Sequence, residues 1–316
     1  MRTPSANATL LVVAVLALGA CGPGETPEEA GAPQAASKAA AGTVEVTTYP
    51  LAYVVGRLAG PLVAVRFRAA GAPDPAYWRP AAEEVVAMQE ADLIVVNGAG
   101  YERWLEDVSL PTSRLVDTTA DSRHRLIALD AALTHSHGTE GDHEHAGTAF
   151  TTWLDPTLLI EQARAAAAAL DRRWPEHAAT FGQGLAALET DLEALDAELA
   201  AATAGAAEQP VVFSHPVYQY LEQRYGLAGD SLHWEPGEAP DEARWAELEE
   251  LLARRGAGWM IWEAEPLAAT AERLAAAGIR SAVVDPCATP PGESDLLAVL
   301  RRNAGALRAV YGVARP

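Results

Sequence analysis

Short apolar and β-branched runs alternate with helical patterns along the chain from Val44 onwards. This alternation is typical of βαβ units, in which parallel strands are joined by helices that cover the sheet. Strands are predicted in both halves of the chain, at 44–48, 62–67, 92–97 and 114–118, then at 210–214, 226–234, 258–263 and 281–286. The run at 226–234 has the weakest pattern. The sequence therefore predicts an α/β fold with two Rossmann-like lobes, each built on a four-stranded, mainly parallel sheet.

One longer helical pattern separates the two halves. Between residues 175 and 204, apolar side chains recur three and four positions apart, at Leu185, Leu188, Leu192, Leu195 and Leu199. This spacing predicts an amphipathic helix. Such a helix would span roughly 45 Å, longer than a small domain, so one long rigid helix should join the lobes and limit their hinge motion. Further helices are predicted at 80–91, 216–225, 240–255, 266–277 and 293–310.

The first residues of the chain have a different character. One positive charge precedes an apolar run from Leu10 to Leu18, and small residues and Cys21 follow it. This arrangement indicates a signal peptide over residues 1–20, because the run is too short to cross a membrane. The string L-A-L-G-A-C resembles a bacterial lipobox, in which Cys21 would carry the lipid. Residues 21–42, rich in Pro, Gly, Ala and Glu, are then predicted to be a lipid-anchored flexible tether. We expect an exported, membrane-anchored lipoprotein that faces the periplasm or the outer cell surface.

The remaining boundaries follow from the strand pattern: an N-terminal lobe over 43–172, the linking helix over 173–206 and a C-terminal lobe over 207–316. The chain of 316 residues is 49% hydrophobic, which excludes general disorder and allows a core in each lobe. Its formal charge of −20 argues against nucleic acid as a partner, since few Lys and Arg are present to neutralise phosphates. With Cys21 lipidated, Cys287 is the only thiol left, so no intramolecular disulfide can form.

Polar side chains follow the predicted strands of the second half. In open parallel sheets, ligands bind beyond the carboxyl ends of the strands. The side chains found there are all of metal-ligating types: His215, His233 with Glu235, Glu263 with Glu265, and Asp285. The first half offers a poorer set, with Tyr49, residues 71–80, residues 97–100 and Asp117. Any one of these residues could instead serve as a loop or cap residue, but their coincidence at successive strand ends favours a metal site.

Residues 135–145 form a second candidate metal-binding segment. The string HSHGTEGDHEH holds His135, His137, His143 and His145 together with one Asp and two Glu. Imidazole and carboxylate at short spacing are ligands of first-row metals, and histidine-rich sites favour zinc. A solvated polar loop with incidental metal affinity is the alternative interpretation.

Six stretches of the chain together resemble the bacterial solute-binding lipoproteins that deliver zinc or manganese to ABC importers. They are T-T-Y-P-L at 47–51, A-D-L-I-V-V-N-G-A-G-Y-E-R-W-L at 91–105, W-L-D-P at 153–156, H-P-V-Y-Q-Y-L-E-Q-R-Y-G-L at 215–227, E-P at 235–236 and V-V-D-P at 283–286. The resemblance covers nearly all of 43–313 and implies two four-stranded lobes joined by a long helix. It also implies zinc as cargo, with manganese second, an ABC permease as partner and a monomeric protein. Many zinc members carry a mobile histidine-rich loop in the position of 135–145.

The chain departs from this family at two of the four cleft ligands. Carried over residue by residue, the third ligand is His215 and the last is Asp285, whereas Ala76 and Thr151 stand where the first-lobe histidines would be. A closed zinc site needs about four donors. Three repairs can be formulated: donors from the second lobe itself, imidazoles from 135–145 folded over the cleft, or donors of a small molecule that arrives with the metal. The second-lobe candidates are Glu263, Glu235 and His233.

The leading hypothesis is therefore a lipid-anchored solute-binding protein that captures zinc and passes it to a permease, without catalysing a reaction. The chain has no Gly-rich phosphate loop and no G-x-S-x-G nucleophile elbow. One rival is a receptor for a chelated metal or for an organic cation, held in a cage of aromatic side chains: Tyr49, Trp78, Trp153 and Trp234. Core packing is the default interpretation of those rings. Another rival is a metal-buffering or adhesive surface lipoprotein.

Overall fold

The computed structural model describes residues 40–129, 135–136, 142–143 and 147–312. The predicted signal peptide, Cys21 and the tether as far as residue 39 lie outside the described residues. In the part of the chain that is described, no helix is long and apolar enough to span a lipid bilayer.

The first sheet is built from four parallel strands near the start of the described chain. They are β1 (Gly42–Val46), β2 (Val63–Phe67), β3 (Leu93–Val96) and β4 (Leu115–Asp117), in the order β2-β1-β3-β4. In this register Val44 lies opposite Val65 on one side and Leu93 on the other. All four residues of β3 are buried, as expected for a strand inside a parallel sheet covered on both faces.

Four two-residue strands follow: β5 (Ala128–Leu129), β6 (His135–Ser136), β7 (Asp142–His143) and β8 (Gly147–Thr148). β5 pairs antiparallel with β8, and β6 pairs antiparallel with β7. The strands β5 and β8 therefore flank the histidine-rich segment in the chain.

The second sheet repeats the topology of the first. Its strands are β9 (Val211–Phe213), β10 (Gly229–Ser231), β11 (Trp259–Trp262) and β12 (Arg280–Val283), all parallel and in the order β10-β9-β11-β12. The two parallel sheets predicted from the sequence are thus confirmed, including the weakly patterned strand within 226–234.

Eight α-helices lie in the described ranges: α1 (Tyr49–Ala59), α2 (Ala82–Glu90), α3 (Pro156–Arg173), α4 (Ala178–Ala202), α5 (Gln219–Tyr225), α6 (Glu242–Arg255), α7 (Ala268–Ala276) and α8 (Leu296–Tyr311). The long helix predicted between the halves is α4, with 25 residues. It buries four of the five leucines of the predicted stripe, Leu188, Leu192, Leu195 and Leu199. It packs against α1 and α3 from the first half and against α8 from the second, so it joins the lobes as predicted.

Direct hydrogen bonds also connect the lobes, from the segment around residue 150 to the second half. They join Thr151 Oγ1 to the Val217 carbonyl at 2.6 Å, Trp153 Nε1 to the Pro286 carbonyl at 2.7 Å and Tyr220 Oη to the Ala149 carbonyl at 2.8 Å. Two of the three donors, Trp153 and Tyr220, are no more than 1% exposed. Because buried polar groups are costly to leave unpaired, these bonds favour one relative placement of the lobes.

Candidate metal centre

A cavity of about 950 Å³ is lined by residues that follow strands of both sheets. The first lobe contributes the loop after β2 and the loop after β3, and the segment after β8 closes one side. The second lobe contributes residues that follow β9, β10 and β11. The cavity therefore lies at the carboxyl ends of the strands, where open parallel sheets bind their ligands.

His215 and Glu263 meet because the strand order of the second sheet reverses between β9 and β11. His215 lies two residues beyond β9, and Glu263 follows β11 directly. His215 Nδ1 is 4.0 Å from Glu263 Oε1 and 3.5 Å from Glu235 Oε1. The reversal is the topological switch point of the sheet, the place where such sheets open a crevice for ligands.

His233 completes this group from the edge strand β10. Its ring centroid is 5.6 Å from that of His215, and the two rings are nearly perpendicular. The side chain of His215 is 13% exposed, that of Glu263 is 24% exposed and that of Glu235 is 43% exposed. The structure thus brings together four of the predicted second-lobe ligands, His215, His233, Glu235 and Glu263, on one wall of the cavity.

The carboxylates around Glu263 make this wall acidic. Burial, reinforced by the nearby carboxylates of Glu235, Asp74 and Asp285, raises the pKa of Glu263 to about 8. Burial and like charges both favour the neutral acid. A divalent cation in the cavity would reverse both effects, since its charge stabilises the ionised carboxylate.

The arrangement is incomplete as a metal site. Among the residues described, no group of three or more His, Cys, Asp or Glu side chains is placed so that it could hold a metal ion. Donors bound to one zinc ion lie roughly 3.3 Å apart, because each bond is about 2.0 to 2.1 Å long. The contact between His215 and Glu235 is near this value and the contact between His215 and Glu263 is longer. Small side-chain movements and further donors are therefore required.

Asp285 has a different environment from the other predicted ligands. It is not among the residues that line the cavity. Its Oδ1 accepts a hydrogen bond from the Cys287 amide at 2.7 Å, and Cys287 adopts a positive φ of 55°. Asn303 holds the Asp285 backbone on both sides, at its amide and at its carbonyl. The carboxylate of Asp285 therefore stabilises a tight turn after β12. The other predicted strand-end residue, Glu265, is exposed and lies outside the cavity.

Ala76 and Thr151, the two first-lobe positions at which the family resemblance implies a histidine, both line the cavity. The Ala76 amide donates to Asp74 Oδ1 at 2.9 Å, which closes a short turn in the loop after β2. Thr151 is 5% exposed and donates its hydroxyl to the Val217 carbonyl. The hydroxyl of Thr151 therefore joins the two lobes. Neither Ala76 nor Thr151 offers an imidazole donor.

The histidine-rich segment is anchored at the edge of this cavity. Leu129, the last residue of β5, lines the cavity, and so do Phe150 and Thr151 shortly after β8. In the short hairpin between them, His135 lies opposite His143. His137 and His145 lie outside the described residues.

The aromatic residues considered for a cation cage are separated in the structure. Trp78 packs edge-on against Trp104, with ring centroids 5.9 Å apart. Trp234 is buried in the second lobe against Trp245, with ring centroids 4.9 Å apart. Trp153 lines the cavity, whereas Tyr49, Trp78 and Trp234 do not. These rings therefore fit the default interpretation, core packing, and do not form one cage around a cation.

Sequence reasoning did not single out Tyr101, Arg103 and Arg244, which also line the cavity. Tyr101 and Arg103 follow the loop 97–100, which comes directly after β3. That loop has positive φ at Gly98, Ala99 and Gly100 in succession, a conformation that places Tyr101 against the cavity. Gly98 and Gly100 were the sequence signal for this tight loop after β3.

Two sheets of one topology, a joining helix and a cavity at their carboxyl ends define a two-lobed α/β protein with a ligand-binding cleft. The chain belongs to the family described as ZnuA, zinc-uptake complex component A, periplasmic, which it matches over residues 44–310. The family resemblance proposed from the sequence is thereby confirmed.

The chain is similar to several named proteins and solved structures. It is 26% identical over 277 residues to the zinc-binding lipoprotein AdcA of Streptococcus pneumoniae serotype 4, covering 84% of this chain and 55% of AdcA. It is 34% identical over 106 residues to the high-affinity zinc uptake system protein ZnuA of Brucella abortus, covering 33% of this chain and 32% of that protein. The chain thus spans about half the length of the AdcA relatives it matches.

The fold similarity extends to solved structures of zinc-bound proteins. The Zn(II)-bound ZnuA-like domain of Streptococcus pneumoniae AdcA superposes with a TM-score of 0.73 at 23% identity, covering 85% of this chain and 98% of that domain. Zn(II)-bound AdcA from the same species gives a TM-score of 0.73 at 22% identity, covering 87% of this chain and 59% of AdcA. At these identities the comparison establishes the fold.

Proposed function

We propose that this protein is the solute-binding component of an ABC importer, which captures a divalent transition metal in its cleft and delivers it to the permease. The observation that carries the proposal is the convergence of His215, His233 and Glu263 on one wall of a cleft at the switch point of the second sheet. Family membership and the zinc named in the relatives' descriptions support zinc as the cargo, with manganese second.

The mechanism is capture by ligand exchange. Neutral imidazole nitrogens of His215 and His233 and the ionised carboxylate of Glu263 replace water molecules of the incoming ion, with Glu235 at the more exposed side. Because these donors must be deprotonated, affinity falls as pH is lowered. No bond of the cargo is broken or formed apart from coordination bonds, so the protein acts without catalysis.

The missing first-lobe donors are proposed to come from the histidine-rich segment. Its two flanking strands end at the cavity edge, so His135, His137, His143 and His145 lie within a short chain distance of the cleft. Asp285 remains a predicted ligand, since the Cys287 amide occupies only its Oδ1.

The cellular setting proposed from the sequence is that of an exported lipoprotein anchored through Cys21, acting as a monomer beside its permease. The family description as a periplasmic component and the word lipoprotein in the AdcA description support this placement. A tether over 21–42 would let the lobes move between the surrounding fluid and the permease.

Isothermal titration of zinc and of manganese into the metal-stripped full-length protein tests the proposal. We expect one zinc site in the cleft, and His215→Ala or Glu263→Gln should weaken it by about ten-fold or more. His124→Ala and Glu265→Gln, at exposed positions outside the cavity, are the matched controls and should leave the site unchanged. Binding no stronger than that of a scrambled histidine-rich peptide would refute the proposal.

Deletion of 135–145 separates transport from the buffering alternative. If the segment only completes the cleft site, the deletion should weaken zinc binding while one site remains at His215 and Glu263. Complete loss of zinc binding on deletion would favour a metal-buffering surface protein.

A further inference from the structure

The cavity wall also carries hydrogen-bond donors. Tyr101 is 3% exposed and lines the cavity, and within the described part of the chain its hydroxyl has no hydrogen-bond partner. Its ring is held edge-on by Phe150 at 5.3 Å and by Trp153 at 6.1 Å. A buried hydroxyl without a partner costs stability, so a fixed one in a binding cavity points to a ligand atom that accepts its hydrogen bond.

The phenol is suited to donate a hydrogen bond and poorly suited to bind zinc as phenolate. Burial, together with the charges of Glu102 and Asp74, raises the pKa of Tyr101 well above its ordinary value. The backbone before it is held firmly, because Glu102 accepts hydrogen bonds from the Asn97 and Gly98 amides at 2.7 and 3.0 Å. Tyr101 is therefore a neutral hydrogen-bond donor on a firmly held backbone.

Two guanidinium groups extend this donor surface. Arg103 lines the cavity two residues beyond Tyr101, with its guanidinium 5.5 Å from the centre of the Tyr77 ring. Arg244 lines the cavity from the second lobe, and its Nη1 lies 3.8 Å from Glu238 Oε2. Cations on a cleft wall repel a bare metal ion, whereas they attract a carboxylate, which guanidinium binds in a bidentate manner.

The size of the cavity also exceeds the need of a single ion. A zinc ion with six waters occupies roughly 200 Å³, since each water takes about 30 Å³ of liquid volume. The cavity holds about 950 Å³, which is within the range of small-molecule sites. A ligand that fills it must bring more atoms than zinc and its hydration shell.

We propose that the cleft binds zinc together with a small polycarboxylate, whose carboxylate groups accept the Tyr101 hydrogen bond and pair with Arg103 and Arg244. The inference rests on the proposed function, because zinc is held by the His215 wall. The organic anion adds oxygen donors to the nitrogen donors of the His215 wall and the histidine-rich segment, on the side of the cavity lined by Ala76 and Thr151. Without zinc, the anion would face the carboxylates of Asp74 and Glu235, so it should bind well only as the metal complex.

Calorimetric titration of citrate into the zinc-saturated full-length protein is the test, with acetate as a probe that does not chelate. We expect one citrate to bind per zinc-loaded molecule, and citrate to bind the metal-stripped protein at least about ten-fold more weakly. Tyr101→Phe and Arg103→Gln should each weaken citrate binding by about ten-fold or more while changing zinc binding by less than two-fold.

Two variants control for structural effects. Tyr311→Phe removes another buried hydroxyl that lacks a hydrogen-bond partner among the described residues, and this one lies outside the cavity. Arg79→Gln removes an exposed guanidinium outside the cavity. Both should bind citrate as the wild type does, and thermal melting should show that all four variants are folded.

The outcomes distinguish this inference from the proposed function. Zinc that binds normally but is simply stripped from the protein by citrate would overturn the inference and leave the proposed function intact. Equal citrate binding by Tyr101→Phe, Arg103→Gln and wild type would also overturn it. Failure of zinc to bind the wild type, with or without citrate, would overturn the proposed function itself.

Discussion

Zinc binding should release a proton from Glu263. Burial and the neighbouring carboxylates raise the pKa of this side chain to about 8 in the metal-free protein. A carboxyl group with that pKa is protonated in about nine of ten molecules at pH 7. Zinc requires the ionised carboxylate, so the proton must leave when the ion enters.

The magnitude follows from the same pKa. At pH 7, Glu263 should contribute about 0.9 proton per zinc bound, falling to about 0.1 at pH 9. The ionised fraction rises from about 0.09 at pH 7 to 0.5 at pH 8, so zinc affinity should increase about five-fold over that interval on account of this group.

Calorimetry at pH 7 in two buffers of different ionisation enthalpy measures the proton count directly. We expect Glu263→Gln to release about 0.9 fewer protons per zinc than the wild type, and to lose most of the affinity gain between pH 7 and pH 8. Glu265→Gln, an exposed glutamate two residues along the chain, should behave as the wild type. An unchanged proton count in Glu263→Gln would show that this carboxyl does not bind the metal.

Three other variants test other parts of the site and fold. Ala76→His places an imidazole at a cavity position where the family resemblance implies one, and should tighten zinc binding by about ten-fold or more in competition with a chromogenic chelator; no gain would show that this position is not a ligand position here. Thr151→Val removes the hydrogen bond to the Val217 carbonyl and should cost about 1 kcal/mol, seen as a lower melting temperature, whereas unchanged melting would remove this bond from the account of lobe placement. Burial raises the pKa of Glu102 to about 7, above its ordinary value of 4.5. The free energy of unfolding is therefore highest below pH 4.5, where Glu102 is protonated in both states, and falls by about 3 kcal/mol as pH rises through 7. Glu102→Gln lacks this titration, so urea unfolding at pH 5 and pH 8 should show the variant gaining on the wild type at the higher pH, and parallel pH profiles would contradict the assignment.

The sheets could be predicted because their strands are short apolar runs with clear boundaries. β3 and β11 are buried throughout and appear in the sequence as unbroken hydrophobic runs. α4 was predictable because its leucine stripe is regular over many turns. α1 and α3 were not delimited, although Asp155 caps α3 and Pro156 begins it, a signal that the sequence carries.

The site was predictable only as far as strand ends define it. His215 and Glu263 follow strands on either side of the switch point, so topology alone brings them together. Asp285 also follows a strand, and its Oδ1 accepts a hydrogen bond from the Cys287 amide, a contact that no sequence pattern encodes. Tyr101 reaches the cavity through a loop with successive positive φ angles, a path that no periodicity in the chain encodes.

Anomalous diffraction at the zinc absorption edge, from crystals of the metal-stripped protein reloaded with one equivalent of zinc, tests the central claim most directly. We expect one strong peak in the cleft, about 2.0 to 2.2 Å from a ring nitrogen of His215 and from a carboxylate oxygen of Glu263. A zinc peak held only by residues 135–145, with no bond to His215 or Glu263, would contradict capture in the cleft.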